Sequence, residues 1–209
     1  MPRKRAGAAP SPDLLAAAYE LIAERGWGGF SMAGLAEHAG VSLVEVYRQI
    51  PSRTTLLREL GRRADEAMLS AEDPELATLP PRDRAFELVM RRLDALAPYK
   101  PGLRALARGD GRGDPLVWLV SGCNLDRAMG WLREAIGLGR GGLRGAVAKR
   151  ALGLAYVRTV RVWLDDDSPD LARTMAELDR NLRRIEGLAG LGGAGPGPAS
   201  AAEDAAPAT

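Results

Sequence analysis

Apolar residues recur along this chain at helical spacing. Leu14, Leu15, Ala18, Leu21 and Ile22 follow i, i+3 and i+4 steps, the pattern of one face of a 3.6-residue helix. Ser11-Pro12 supplies an N-cap followed by proline at the first helical position, and Gly26 supplies an end. Two short helices are expected next. These are MAGLAEHA after a Ser31 cap and LVEVYRQ after a Ser42 cap, separated by an Ala39-Gly40-Val41 turn. Ile50-Pro51 ends the second, because the residue before proline is pushed out of the α region. Ser52 then caps a fourth helix, from Arg53 to about Ser70. Asp73-Pro74 and Leu79-Pro80-Pro81 mark a linker. Five further helical stretches are expected near 82–97, 101–108, 115–136, 143–164 and 169–188. Pro98, GDGRGD, GLGRGG and DDDS separate them, and the last carries Ser168 as N-cap with Pro169 at N1. Nothing alternates with the two-residue period of a half-buried strand. The predicted fold class is all-α, with about nine helices.

Composition narrows this picture. Val, Ile and Thr are sparse beside Ala, Leu, Arg and Gly, which favours helix over sheet. A net charge of only +2 makes the whole chain no polycation, so any nucleic-acid surface must be local. Residues 1–63 hold nine Arg and Lys against six Asp and Glu, a local net of +3. The single cysteine, Cys123, leaves no partner for an intramolecular disulfide or a thiolate metal site. A cytoplasmic location is expected. MPRKRAGAAPSP lacks the apolar centre of a signal peptide, and no run of about 18 apolar residues appears, so no stable membrane insertion is expected.

The candidate reactive residues lack the neighbours their chemistry needs. His38 stands without a cluster of ligands, and Asp165-Asp166-Asp167 reads as a helix junction rather than a metal site. The glycines of GDGRGD and GLGRGG follow no strand and match no phosphate-loop spacing. Ser121, Cys123 and Ser168 lack a partner base. The expectation is a non-enzymatic protein with no catalytic residues, metal or cofactor.

The two short helices and their tight turn carry more information. A helix-turn-helix presents its second helix to the DNA major groove while apolar side chains hold it down. Val41, Val46 and Ile50 suit that anchoring role, with Leu35 and Ala36 from the preceding helix. Leu43, Val44, Tyr47 and Arg48 are left for an outward face. Glu45 places a carboxylate in this helix. Ser42-Leu43-Val44-Glu45 has the S-x-x-E form of a capping box, which would fold that carboxylate back onto the Ser42 N–H.

Residues 13–60 resemble the N-terminal domain of TetR/AcrR-family transcriptional regulators. The resemblance rests on Gly29-Phe30-Ser31-Met32 and on Ala36, Ala39, Gly40, Val41, Ser42, Val46, Tyr47, Ile50, Ser52, Arg53, Leu56 and Leu57 at the family's spacing. It implies a homodimer on double-stranded DNA. Tyr47 and Arg53 would touch phosphates, Arg53 standing where lysine is usual, and Ser31 and Ser42 would cap helices beside the backbone. Gln49 replaces the usual His or Tyr. Leu43 and Val44 offer methyl contacts to thymine, and Arg48 reaches a phosphate or a guanine. Val44-Glu45 departs from the small pair common in the family.

The C-terminal stretches 115–136 and 143–164 are apolar around most of their circumference, with Arg150, Arg158 and Arg161 on a narrow side, as expected of buried or interface helices. Trp118, Met129, Trp131 and Tyr156 are candidates to line a ligand pocket. Residues 82–187 also resemble the ubiquinone-biosynthesis accessory lipid-binding proteins, a family of TetR-type fold. The shared features include Arg92-Leu93, Pro98-Tyr99, Arg150-Ala151 and Asp167-Ser168-Pro169-Asp170. The expected organisation is a basic arm over 1–10, a helix-turn-helix domain over 11–60, a ligand-binding and dimerisation domain over 61–189, and a Gly/Ala/Pro tail over 190–209. Two readings follow. One is a DNA-binding regulator answering to an apolar small molecule; the other is an isoprenoid-lipid-binding accessory protein that has lost DNA binding.

Overall fold

The structure, a computed structural model, describes residues 13–70, 74–138, 142–189 and 191. Among these, α1 (Leu14–Gly29), α2 (Met32–Ala39), α3 (Leu43–Gln49) and α4 (Arg53–Leu69) form the N-terminal part. They are followed by α5 (Pro74–Thr78), α6 (Pro81–Leu96), α7 (Lys100–Arg108), α8 (Pro115–Ala135), α9 (Gly142–Trp163) and α10 (Ala172–Ala189). Two 3-10 turns, Ala97–Tyr99 and Asp110–Gly113, flank α7, and no strand occurs among the described residues. The nine expected helices are present. The tenth, α5, occupies the expected linker, where proline at its start and Glu75 in its first turn suit a helix N-terminus.

Three boundaries differ from expectation, each for a local reason. Ser11 and Pro12 lie outside the described residues, and Asp13 caps α1, its carboxylate accepting from the N–H of Leu15 (3.0 Å) and Ala16 (3.4 Å). Gly26 kinks α1 rather than ending it: at φ 72°, ψ 173° it breaks the helix before one more turn through Gly29. α10 opens at Ala172, not Pro169. Ser168 does not cap it; its hydroxyl donates to Asp166 (2.5 Å), which also accepts from the Thr174 N–H (2.8 Å) and hydroxyl (2.7 Å).

Leu14, Leu15, Ala18, Leu21 and Ile22 are buried as the periodicity implied, against Leu35, Val46, Ile50 and Leu56. α4 joins this cluster to the rest by packing on α6 and α8, while α1 packs on α7. α9 packs on α10 and α8. Each large aliphatic side chain fully removed from water contributes on the order of 1.5–3 kcal/mol. One polar knot crosses this interior. Asp65 of α4 accepts from Arg92 of α6 (3.1 Å) and Arg127 of α8 (2.8 Å), and Arg92 donates to the Tyr156 hydroxyl of α9 (2.7 Å).

The helices read as apolar nearly all round are covered on one side only. Val120, Met129 and Leu152 are buried, but Leu119, Val147 and Leu154 are exposed, and Leu143 is 83% exposed. No helix among the described residues is long and apolar enough to cross a membrane.

Candidate nucleic-acid interface

α2 ends where Gly40 adopts a left-handed conformation (φ 66°), its N–H returning to Ala36 and Glu37 carbonyls, and the chain turns at once into α3. Ser31 and Ser42 cap the two helices, accepting from the N–H of Gly34 (3.0 Å) and Glu45 (3.2 Å). A serine that caps through an oxygen lone pair keeps its O–H free to donate. Val46 and Ile50 hold α3 against the core. The opposite face presents Leu43, Val44 and Tyr47, which are 53%, 58% and 68% exposed, with Arg48 beside them, also exposed. An apolar face on a seven-residue helix, turned to solvent, packs on nothing among the described residues.

The capping box forms by half. Ser42 takes the Glu45 N–H, but the Glu45 carboxylate runs toward the helix C-terminus. It accepts from the Gln49 amide (2.7 Å) and lies 3.7 Å from the Arg48 guanidinium. One turn of helix brings i+3 and i+4 under Glu45, and both partners are donors. Glu45 therefore engages two of the candidate readers, Arg48 and Gln49.

Arg53 stands at the start of α4, immediately after α3. Its guanidinium donates to the Phe30 carbonyl and lies 4.8 Å from the Trp27 ring centroid and 5.7 Å from that of Phe30. The two rings are stacked at 5.9 Å. The expectation of a free phosphate-contacting group meets a side chain held by a carbonyl and two aromatic faces, an arrangement that suits arginine better than lysine. Arg25, missed by the sequence reading, is exposed and forms no ion pair among the described residues. Its Nη1 lies 3.6 Å from where a Cβ on Gly34 would stand, in the first turn of α2 that Ser31 caps. A cation at that helix N-terminus is suited to phosphate.

The aromatic pair that holds Arg53 is itself held from outside. The Trp27 N–H donates to Asp110 (3.0 Å), the Gly28 N–H donates to the same carboxylate, and the Trp27 indole N–H donates to Asp114 (2.7 Å). The kink at Gly26 frees these backbone groups from the helical ladder, and the turn Asp110–Gly113 supplies the acceptor. The indole hydrogen bond, with the backbone N–H of Leu116 adding to it, keeps the Asp114 carboxyl below the usual carboxylate range. GDGRGD, expected as a plain loop, thus clasps the C-terminal end of α1. The only sequence signal was aspartates flanking a glycine-rich turn.

A cavity of about 640 Å³ lies between α1, α4, α6, α7, α8 and α9. Trp118 and Tyr156 line it, and Tyr156 sits beside Arg92 with burial pushing its phenol up. Met129 and Trp131 do not. Met129 is buried against Gly153 of α9, and Trp131, 49% exposed, lies outside the cavity lining. His38 pairs with Glu20 at 3.6 Å on the surface. The acidic run is structural: Asp165 pairs with Arg108, Asp166 organises the start of α10, and Asp167 pairs with Arg104 (2.6 Å) and Lys100 (3.5 Å). No metal-binding group of three His, Cys, Asp or Glu exists among the described residues.

Residues 14–60 match the family model described as bacterial regulatory proteins, tetR family. The fold is shared with solved TetR-family regulators. One, a TetR transcriptional regulator from Nitrosomonas europaea, is 24% identical, with 82% of this chain and 94% of that one covered and a TM-score of 0.66. A tetR-family regulator from Streptomyces coelicolor is 19% identical over 85% of this chain and 84% of that one, with a TM-score of 0.58. A third, from Rhodococcus sp. RHA1, is 19% identical over 82% and 92%, with a TM-score of 0.54. No curated protein matches the chain in sequence.

Proposed function

We propose that this chain, with a tetR-family segment over residues 14–60 on a TetR-type fold, is a DNA-binding transcriptional regulator that works as a homodimer and answers to a small molecule with an apolar body. The observation that carries the reading is the outward face of α3. Leu43, Val44, Tyr47 and Arg48 are exposed together on the second helix of a helix-turn-helix, where base edges and phosphates are met. Ser31, Ser42 and Arg25 add phosphate-directed groups at its edge. Arg53 serves by holding the frame through Phe30 and Trp27, while Gln49 is engaged by Glu45. Pairing of two copies has support in the exposed apolar residues Leu119, Leu143, Val147 and Leu154 of α8 and α9. The effector site is the cavity, whose wall includes Gly111 and Arg112 of the very turn that clasps α1. A ligand that favours one position of this turn biases the α2–α3 unit through Trp27.

The second reading, a lipid-binding protein without DNA binding, draws support from Arg53 being engaged by the protein and from a carboxylate on the reading helix. One experiment separates the two. Binding to the DNA upstream of its own gene is measured across salt concentrations for wild type and for Tyr47→Ala/Arg48→Ala. The regulator gives a steep salt dependence and a roughly palindromic site with half-sites about 34–36 Å apart, and the double variant loses specific binding. Equal, weak, sequence-independent binding by both proteins refutes the regulator reading.

A further inference from the structure

We propose that the cavity between α1, α4, α6, α7, α8 and α9 binds an amphiphilic organic anion, its apolar body inside and its negative group at the mouth on Arg112 and Arg161. This rests on the effector reading above and specifies its ligand class. The inner wall is apolar, with Leu57, Leu60, Leu96, Leu106 and Trp163 all buried. One polar atom of the lining residues has no partner among the described residues. The Asn124 Oδ1 is buried and unpaired while its Nδ2 donates to the Leu57 carbonyl (2.9 Å). Burial pushes the Tyr19 phenol up, so it stays a neutral donor. Buried polar groups are ordinarily satisfied, so the Asn124 oxygen is a polar point just behind an otherwise apolar wall.

Charge sets the class of ligand. Arg92, Arg108, Arg112 and Arg161 line the cavity against a single carboxylate, Asp165. Arg92 is occupied by Asp65 and Tyr156, and Arg108 by Asp165. Arg112 and Arg161 make no ion pair among the described residues, and both are exposed. The mouth therefore carries two uncommitted guanidiniums over an apolar interior, which complements a carboxylate or phosphate ester on a hydrocarbon body. Arg112 belongs to the Asp110–Gly113 turn, so an anion seated on it acts on the element that holds Trp27.

Calorimetric titration of the full chain without DNA tests this. Decanoate, decan-1-ol and decyltrimethylammonium are compared at fixed ionic strength, each below its micelle concentration, with wild type and Arg112→Gln/Arg161→Gln. The expected result is decanoate binding at least about 10-fold tighter than the alcohol, with the cation weakest. In the double variant, with an unchanged melting temperature, the gap between decanoate and decan-1-ol closes to within about 2-fold. The inference is overturned if wild type does not bind decanoate, binds the alcohol equally well, or keeps its preference in the double variant. Since DNA is absent, failure here is distinct from failure of the regulator reading, which the salt-dependent DNA experiment decides.

Discussion

The clasp between the α1 kink and the Asp110 turn makes a prediction specific enough to work through. Gly28 donates its N–H to the Asp110 carboxylate, and a Cβ on residue 28 would stand well inside van der Waals contact distance of Oδ2. Gly28→Ala therefore expels the carboxylate and removes one or both of the hydrogen bonds it accepts from Trp27 and Gly28. A hydrogen bond to a charged group contributes about 1.5–3 kcal/mol, and the lower end applies at this exposed site. Residue 28 has no positive φ and lies in the last helical turn, where alanine itself would be neutral or up to about 0.5–1 kcal/mol better than glycine. The net expectation for Gly28→Ala is a loss of about 1–2 kcal/mol, or a melting temperature lower by roughly 2–8 °C for a chain of this size. Asp110→Ala alone is expected to cost about 2–3 kcal/mol, since both bonds go. In the Asp110→Ala background the obstacle is gone, and Gly28→Ala becomes neutral or slightly stabilising. A thermal or urea unfolding double-mutant cycle reads the coupling, expected to be at least about 1 kcal/mol. Simple additivity of the two substitutions would show that the carboxylate does not hold this turn, and the proposed route from cavity to reading helix would fall with it.

Three further outcomes are expected. Asp65→Ala leaves Arg92 buried without its carboxylate and should destabilise by about 3–5 kcal/mol in urea unfolding, whereas a loss under about 1 kcal/mol would mean the knot is solvated. Glu45→Ala frees Arg48 and Gln49 and removes a negative charge from the DNA-facing helix, so specific DNA affinity should rise while stability changes by less than about 0.5 kcal/mol; reduced affinity would show that Glu45 positions the readers. Asp166 is held well below the usual carboxylate range, by the Ser168 hydroxyl first and then the Thr174 hydroxyl and N–H. Its folded pKa lies under its unfolded one, so its contribution is complete above the ordinary carboxylate range and is lost as pH falls below it. An acid titration of stability should flatten in Asp166→Asn relative to wild type, and parallel curves would refute the assignment.

Local chemistry made much of this protein legible in its sequence. The Ser31, Ser42 and Ser52 caps, the Gly40 turn and the break at Ile50-Pro51 each depend on atoms within about four residues, so the α2–α3–α4 arrangement follows from side-chain identity alone. The buried stripe of α1 and the outward set Leu43, Val44, Tyr47 and Arg48 follow from a 3.6-residue period. Tertiary structure decided what those residues then met. The S-x-x-E spacing favours a Glu45 carboxylate turned back to its cap, whereas in the fold it runs forward to Gln49. The clasp joins residues 83 and 87 positions apart, and the Asp65 knot joins helices separated by 27 to 64 residues. Periodicity says which face of a helix is apolar, but not which neighbour covers it. Trp118 and Trp131 therefore looked alike in sequence, while the packing of α8 set one at the mouth of the cavity and the other on the outside.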